Sequence, residues 1–246
     1  MKNKILVTGG SSGIGYGIAK NFYEKGWSVL ITGRNKDKLK AIRNSLPGIH
    51  TLEYNSSDEQ QIEDIVHFIE KEWDGKLDIL VNSAGHVELG SLKDITKSSL
   101  LGMYQAHLVG PSLLTSKCLN FLASTKGKVL NITSSHGIKV YPEISAYGSA
   151  KAGLNMLTKI WALELAPLGI TVNAIAPGPT NTDILKSAGF DDETVLAIHE
   201  SEKSQIPMQR RGNVEDIVSS AMLLLNSESD WVTGVIMPVD GGISIL

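Results

Sequence analysis

Near its start the chain reads Lys4-Ile5-Leu6-Val7-Thr8-Gly9-Gly10-Ser11-Ser12-Gly13-Ile14-Gly15. An apolar run, a turn with four glycines and then an amphipathic stretch to Lys25 read as strand, tight loop and helix. The glycine spacing is G-x-x-x-G-x-G, a slightly longer turn than G-x-G-x-x-G. Without Cβ atoms at the contact points, a phosphate can approach the free N–H groups and positive dipole of the helix N-terminus. A plain turn needs fewer glycines, so this loop is expected to hold a pyrophosphate.

Outward from this unit the same alternation continues. Short apolar runs recur at 27–32, 49–54, 77–81, 128–132, 170–175 and 235–239, with helical stretches at 36–46, 58–73, 100–123, 145–166 and 214–225 between them. Continuous apolar runs suit strands buried on both faces, and strand–helix alternation means an α/β, doubly wound parallel sheet, a Rossmann fold of about seven strands with helices on both faces. Gly26 and Gly169 stand where helices end, and Asn35 and Ser57 where N-caps would lie. No linker divides the 246 residues, so residues 1–246 are expected to be one domain. Asn181–Gln209 has weak pattern and a length that suits a lid over a site.

Composition narrows the function classes. Against 26 acidic residues stand 23 basic ones, which gives no electrostatic case for nucleic acid. The single cysteine points to a reducing compartment, and the absence of a signal-like or membrane-spanning apolar run points to a cytoplasmic protein with no membrane partner. Cys118, on an apolar helix, reads as core, and Arg210-Arg211 as loop charges or inter-subunit contacts. No His/Cys/carboxylate group has metal-ligand spacing, so no metal is expected.

In such sheets the ligand crevice lies beyond the carboxyl ends of the strands. The motifs found there, T-G-x-x-x-G-x-G from Thr8, Asn82-Ser83-Ala84-Gly85, Asn131-Ile132-Thr133-Ser134, Tyr147-x-x-x-Lys151 and Ala176-Pro177-Gly178-Pro179, resemble the short-chain dehydrogenases/reductases over essentially the whole length. The "NITSS", "PGP" and "TG…DGG" stretches are closest in flavour to the 3-oxoacyl-thioester reductases. The resemblance implies that Gly9, Ser11, Ser12, Gly13, Ile14 and Gly15 hold the cofactor pyrophosphate. It also implies cofactor contacts from Asn55, Ser56, Asn82, Ala84, Gly85, Pro177, Gly178 and Thr180, with Thr182 on the carboxamide. A homo-oligomer, typically a tetramer, is implied as well.

Cofactor choice turns on the end of the second strand. NAD folds place an acid on the ribose 2′-hydroxyl about 20 residues past the glycine loop, whereas an arginine suits the 2′-phosphate. Here that position is Gly33, followed by Arg34, which favours NADP(H) over NAD(H).

By the same resemblance Ser134, Tyr147 and Lys151 form the catalytic set. A free tyrosine ionises near pH 10, so a lysine ammonium nearby is expected to lower it towards the operating range. Tyr147 then acts as general acid in reduction, Ser134 donates to the developing oxyanion, and Lys151 also holds the nicotinamide ribose. Where the family has an asparagine in a proton relay this chain has His107, a group able to donate, accept and titrate near neutrality. His86, His136 and Tyr141 stand where they can face the substrate. The expected activity is hydride transfer between NADP(H) and a carbonyl or secondary alcohol, a 3-oxoacyl thioester or a polar ketone. The competing readings are an NAD-dependent sugar or polyol dehydrogenase and a non-catalytic dinucleotide sensor.

Overall fold

The structure is a computed structural model that describes residues 2–226, 228 and 230–246. Its seven strands are β1 (Lys4–Val7), β2 (Ser28–Gly33), β3 (His50–Glu53), β4 (Ile79–Asn82), β5 (Lys128–Ile132), β6 (Thr171–Pro177) and β7 (Ile236–Val239). They form one sheet in the order β3-β2-β1-β4-β5-β6-β7, every pair parallel. The helices are α1 (Gly13–Glu24), α2 (Lys36–Ser45), α3 (Glu59–Trp73), α4 (Lys97–Tyr104), α5 (Gly110–Lys117), α6 (Leu119–Thr125), α7 (Ser145–Leu165), α8 (Ile184–Ser187), α9 (Asp192–Gln205) and α10 (Val214–Leu225).

The two-residue period of a strand sorts the core into two layers. Ile5 and Val7 face a cluster with Ile18 and Phe22 of α1, Leu39 of α2 and Ile217 of α10. Leu6, between them, faces Ile65 and Ile69 of α3, Leu114 of α5 and Leu165 of α7. Because both faces are covered, the central strands are continuously apolar, as their sequences require.

Helix ends follow the expected chemistry with one shift. The Asn35 side chain accepts from Lys38 N at 2.9 Å, and Gly26 and Gly169 take positive φ at 80° and 76°. The N-cap of α3 is Asp58 rather than Ser57, its carboxylate accepting from Gln60 N at 3.0 Å. The larger departure is the stretch 100–123, expected as one helix. It is α4, a π-helical turn at Gln105–Val109, α5 and α6, with the joint between the last two at the fully buried Cys118. The core reading of Cys118 holds, and burial pushes its thiol up to about 12. Among the described residues no helix is long and apolar enough to cross a membrane.

A buried polar chain joins the sheet to the helices beside it. Asn82 Nδ2 donates to Thr115 Oγ1 (3.1 Å) and to Asn131 Oδ1 (2.9 Å), and Asn131 Nδ2 donates to Thr158 Oγ1 (2.9 Å). It ties the ends of β4 and β5 to α5 and α7. Truncating a buried member strands its partners without hydrogen bonds, at about 1–3 kcal/mol. Asn131→Ala should therefore lower the urea midpoint by an amount equivalent to ~2 kcal/mol, with the slope unchanged.

Candidate active site

The sheet order reverses between β1 and β4, and the chain segments leaving these two strands meet backbone to backbone. Gly9 has φ +65°, and a Cβ on it would lie 2.8 Å from Ala84 Cα; a Cβ on Gly15 would lie 2.5 Å from the Gly9 carbonyl oxygen. Thr8 Oγ1 fixes the turn after β4 by accepting from Ser83 N (3.0 Å) and Ala84 N (3.1 Å). Backbone amides hold this turn, so it does not need an asparagine side chain at position 83.

A cleft of about 840 Å³ runs over the strand ends in sheet order, within the size range of small-molecule sites. It is lined from Gly33-Arg34 after β2 and Asn55-Ser56 after β3, through the loop Gly9–Gly15 and the turn Ala84-Gly85-His86, to Ser134, His136, Tyr141, Tyr147, Lys151, Pro177, Gly178, Thr180 and Thr182. His107 lines it as well. Asn82 does not. It is 3% exposed and its Nδ2 serves the polar chain under the cleft.

The loop suits a pyrophosphate. Ser12 is the N-cap of α1 yet makes no side-chain cap bond, and the first turn carries no acidic residue, so the amides there keep their capacity for an anion. A Cβ at Gly33 would come within 2.7 Å of Ser11 Oγ, so a carboxylate at that position would displace the loop's own serine. Arg34 is exposed at the rim and, among the described residues, makes no ion pair or hydrogen bond.

α7 presents Tyr147 and Lys151 one turn apart on the same face, and Ser134 hydrogen-bonds to the Tyr147 phenol. Lys151 Nζ donates to the Ile132 carbonyl at 2.9 Å and lies 5.7 Å from the Tyr147 ring centroid. All three are under 8% exposed. Burial raises the phenol above its ordinary value, with the Ser134 bond pulling the other way, and lowers Lys151 to about 7. Burial therefore moves the tyrosine in the direction opposite to the lysine-driven fall expected from sequence.

His107 sits on the π-helical turn, a distortion that redirects side chains at functional sites. Its Nε2 is 2.8 Å from the His86 carbonyl oxygen, which can only accept, so Nε2 carries the proton and Nδ1 is left as acceptor. The ring stands edge-on to Tyr147 at 5.5 Å and fills the space a Cβ at Gly85 would take. Burial, and then the charge of Lys151, hold its pKa well below the usual histidine value. The titration near neutrality expected for it is therefore not supported; the ring is neutral there.

Sequence reasoning missed Arg211. It is buried, donates from Nε to Asn181 Oδ1 (2.9 Å) and from Nη2 to the Thr180 carbonyl (2.7 Å), and pairs through Nη1 with Glu202 of α9. No motif marks it, because its partners are brought to it by folding. Arg210 does make the expected loop-charge contact, a two-pronged pair with Asp216 at 2.7 and 3.0 Å. Among the described residues no cluster of His, Cys, Asp or Glu is placed to hold a metal ion.

Known proteins resemble the chain over its full length. A family profile described as Enoyl-(Acyl carrier protein) reductase matches residues 9–244. A 3-oxoacyl-(acyl-carrier-protein) reductase of Rickettsia bellii is 33% identical, covering 96% of this chain and 95% of its own. A glucose 1-dehydrogenase of Gluconobacter oxydans is 32% identical, covering 98% and 92%. The solved structure described as ElxO with NADP bound superposes with a TM-score of 0.91 at 31% identity and covers all of both chains.

The buried lysine has a measurable consequence for stability. Its folded pKa of about 7 lies below the ordinary value of 10.5, so the unfolded chain binds more protons between those pH values. Stability therefore rises with pH across that window, and the full cost of charging the amine is present below about pH 7. Lys151→Met should be more stable than the parent at pH 6 by a few kcal/mol, with the gap closing towards pH 10 in urea titrations. A gap independent of pH would mean that Lys151 is charged in the folded chain.

Proposed function

The chain belongs to the short-chain dehydrogenase/reductase family, and from that footing we propose that it is an NADP(H)-dependent oxidoreductase acting on a carbonyl or secondary alcohol. The observation that carries this reading is the convergence of Ser134, Tyr147 and Lys151 on one cleft with a glycine loop and a free Arg34.

A bound nicotinamide supplies or accepts the hydride. In reduction Tyr147 gives its proton to the carbonyl oxygen; in oxidation it takes the alcohol proton. Its raised pKa keeps the proton available for donation at neutral pH. Ser134 donates to the oxygen as charge builds there. Lys151, beneath the tyrosine, would hold the ribose hydroxyls of a bound nicotinamide dinucleotide, and its amine can accept or return a proton near pH 7. His107 acts through its neighbours: it pins the His86 carbonyl and offers Nδ1 to a water of the relay.

Three features favour NADP(H). Arg34 is unengaged among the described residues, an acid at position 33 would collide with Ser11, and a structural relative is described as NADP-bound. The α8–α9 segment borders the cleft through Ile184, Leu185, Ile198 and Glu202, which supports its role as lid. A cytoplasmic homotetramer completes the proposal, supported by exposed apolar side chains on α7, among them Met156 and Leu163, and on the α4–α5 stretch at Leu101 and Val109.

Tyr147→Phe should lower kcat by about 100- to 10,000-fold while NADPH binding changes far less. Arg34→Ala should weaken NADPH binding by about 10- to 150-fold and leave NADH unaffected, as read from quenching of tryptophan fluorescence. Equal losses for both cofactors would overturn the 2′-phosphate role.

A further inference from the structure

Resting on the reading above, we infer that the substrate end of the cleft selects an uncharged, hydroxyl-bearing ketone or alcohol and rejects substrates bearing a carboxylate or phosphate near the reacting carbon. The argument begins with the cations. Three line the cleft: Arg34, Lys151 and Arg211. Arg34 belongs to the cofactor end. Lys151 lies under Tyr147 with its amine on the Ile132 carbonyl. Arg211 spends its guanidinium on Asn181, Thr180 and Glu202. Lys139, over the Tyr141 ring at 5.6 Å, donates to the Ile243 carbonyl at 3.0 Å. Among the described residues that line the cleft, no cation around Tyr147 is left uncommitted to receive an anionic substrate group.

Carboxylates stand there instead. Glu143 and Asp183 both line the cleft, are exposed, and have no ion-pair partner among the described residues. Glu143 is held at the rim by its backbone. Its φ of +61° is a left-handed conformation that a non-glycine residue adopts at a cost. Gly90 N, donating to the Glu143 carbonyl at 2.8 Å, locks it beside the turn after β4. Asp183 lies in the field of Lys186, so the like charge that an anionic group meets on entering comes chiefly from Glu143.

The walls are polar without being charged. His107 and His136 stand edge-on to Tyr147 at 5.5 and 6.1 Å, and His86 is 6.0 Å from His107. Burial lowers the pKa of all three; His86 and His136 each offer a donor and an acceptor near neutrality, and His107, its Nε2 proton committed to the His86 carbonyl, offers Nδ1 as an acceptor. Tyr141, 4.8 Å from His136, has a buried hydroxyl with no partner among the described residues. Neutral imidazoles and a spare phenol hydroxyl match substrate hydroxyls, whereas an unfunctionalised acyl chain would leave them unpaired.

The test compares substrates that differ in one group, with NADPH as reductant: methyl acetoacetate against acetoacetate for charge, and hydroxyacetone against acetone for the hydroxyl. The expected result is a kcat/KM at least tenfold higher for the uncharged and for the hydroxylated member of each pair. The Glu143→Gln/Asp183→Asn double variant should narrow the charge ratio several-fold and leave the hydroxyl ratio unchanged. Tyr141→Phe should narrow the hydroxyl ratio alone. Preference for acetoacetate or for acetoacetyl-coenzyme A would overturn the inference, as would charge discrimination that survives the double variant. NADPH binding without turnover of the uncharged hydroxylated ketone overturns the inference while leaving the cofactor reading intact. Failure to bind NADPH overturns the underlying reading instead.

Discussion

The reversal of winding between β1 and β4 is the constraint on which the rest of the molecule depends. Chain segments leave these neighbouring parallel strands in opposite directions, so the strand ends between them stay uncovered. Backbone from both strands then converges in one place, and side chains have to be absent there. A Cβ on Gly9 would strike the Ala84 backbone and one on Gly15 the Gly9 carbonyl, and the amides of α1 are left facing the opening. The anion-binding loop is thus a consequence of how the sheet is wound.

The catalytic face inherits its rigidity from beneath. The chain of Asn82, Asn131 and Thr158 anchors α7 to the strand ends, so the hydroxyl of Tyr147 and the amine of Lys151 are placed relative to Ser134 by buried hydrogen bonds. Burial has a chemical effect as well. It removes water from two groups that would each ionise far from neutrality in solvent, lowering the lysine and raising the tyrosine. Charge in this site is scarce by construction, which makes hydrogen-bonding capacity the main currency of recognition.

Two irregular features shape the opposite wall. The π-helical turn rotates His107 under Gly85 and onto the His86 carbonyl, so one imidazole braces the turn after β4 against Tyr147. Arg211 does the equivalent for the covering helix, joining α9 to the loop after β6 through three acceptors. Each relies on a neutral or internally compensated group.

Much of this protein was legible in the sequence. The strand and helix alternation, the parallel sheet and the glycine loop follow from local patterns, because burial on two faces and close approach to a helix N-terminus leave marks in neighbouring residues. Ser134, Tyr147 and Lys151, by contrast, are singled out by family resemblance, with one-turn spacing placing only the last two on one face. Other features needed the tertiary structure. That Asn82 joins β4 to α5 and β5, that His107 is neutral, that 100–123 breaks at a π-helical turn, and that Arg211 pairs with Glu202 were not legible in local sequence. Hydrogen-bond allegiance and desolvation are properties of the assembled surroundings, and a side chain's own neighbours in sequence do not encode them.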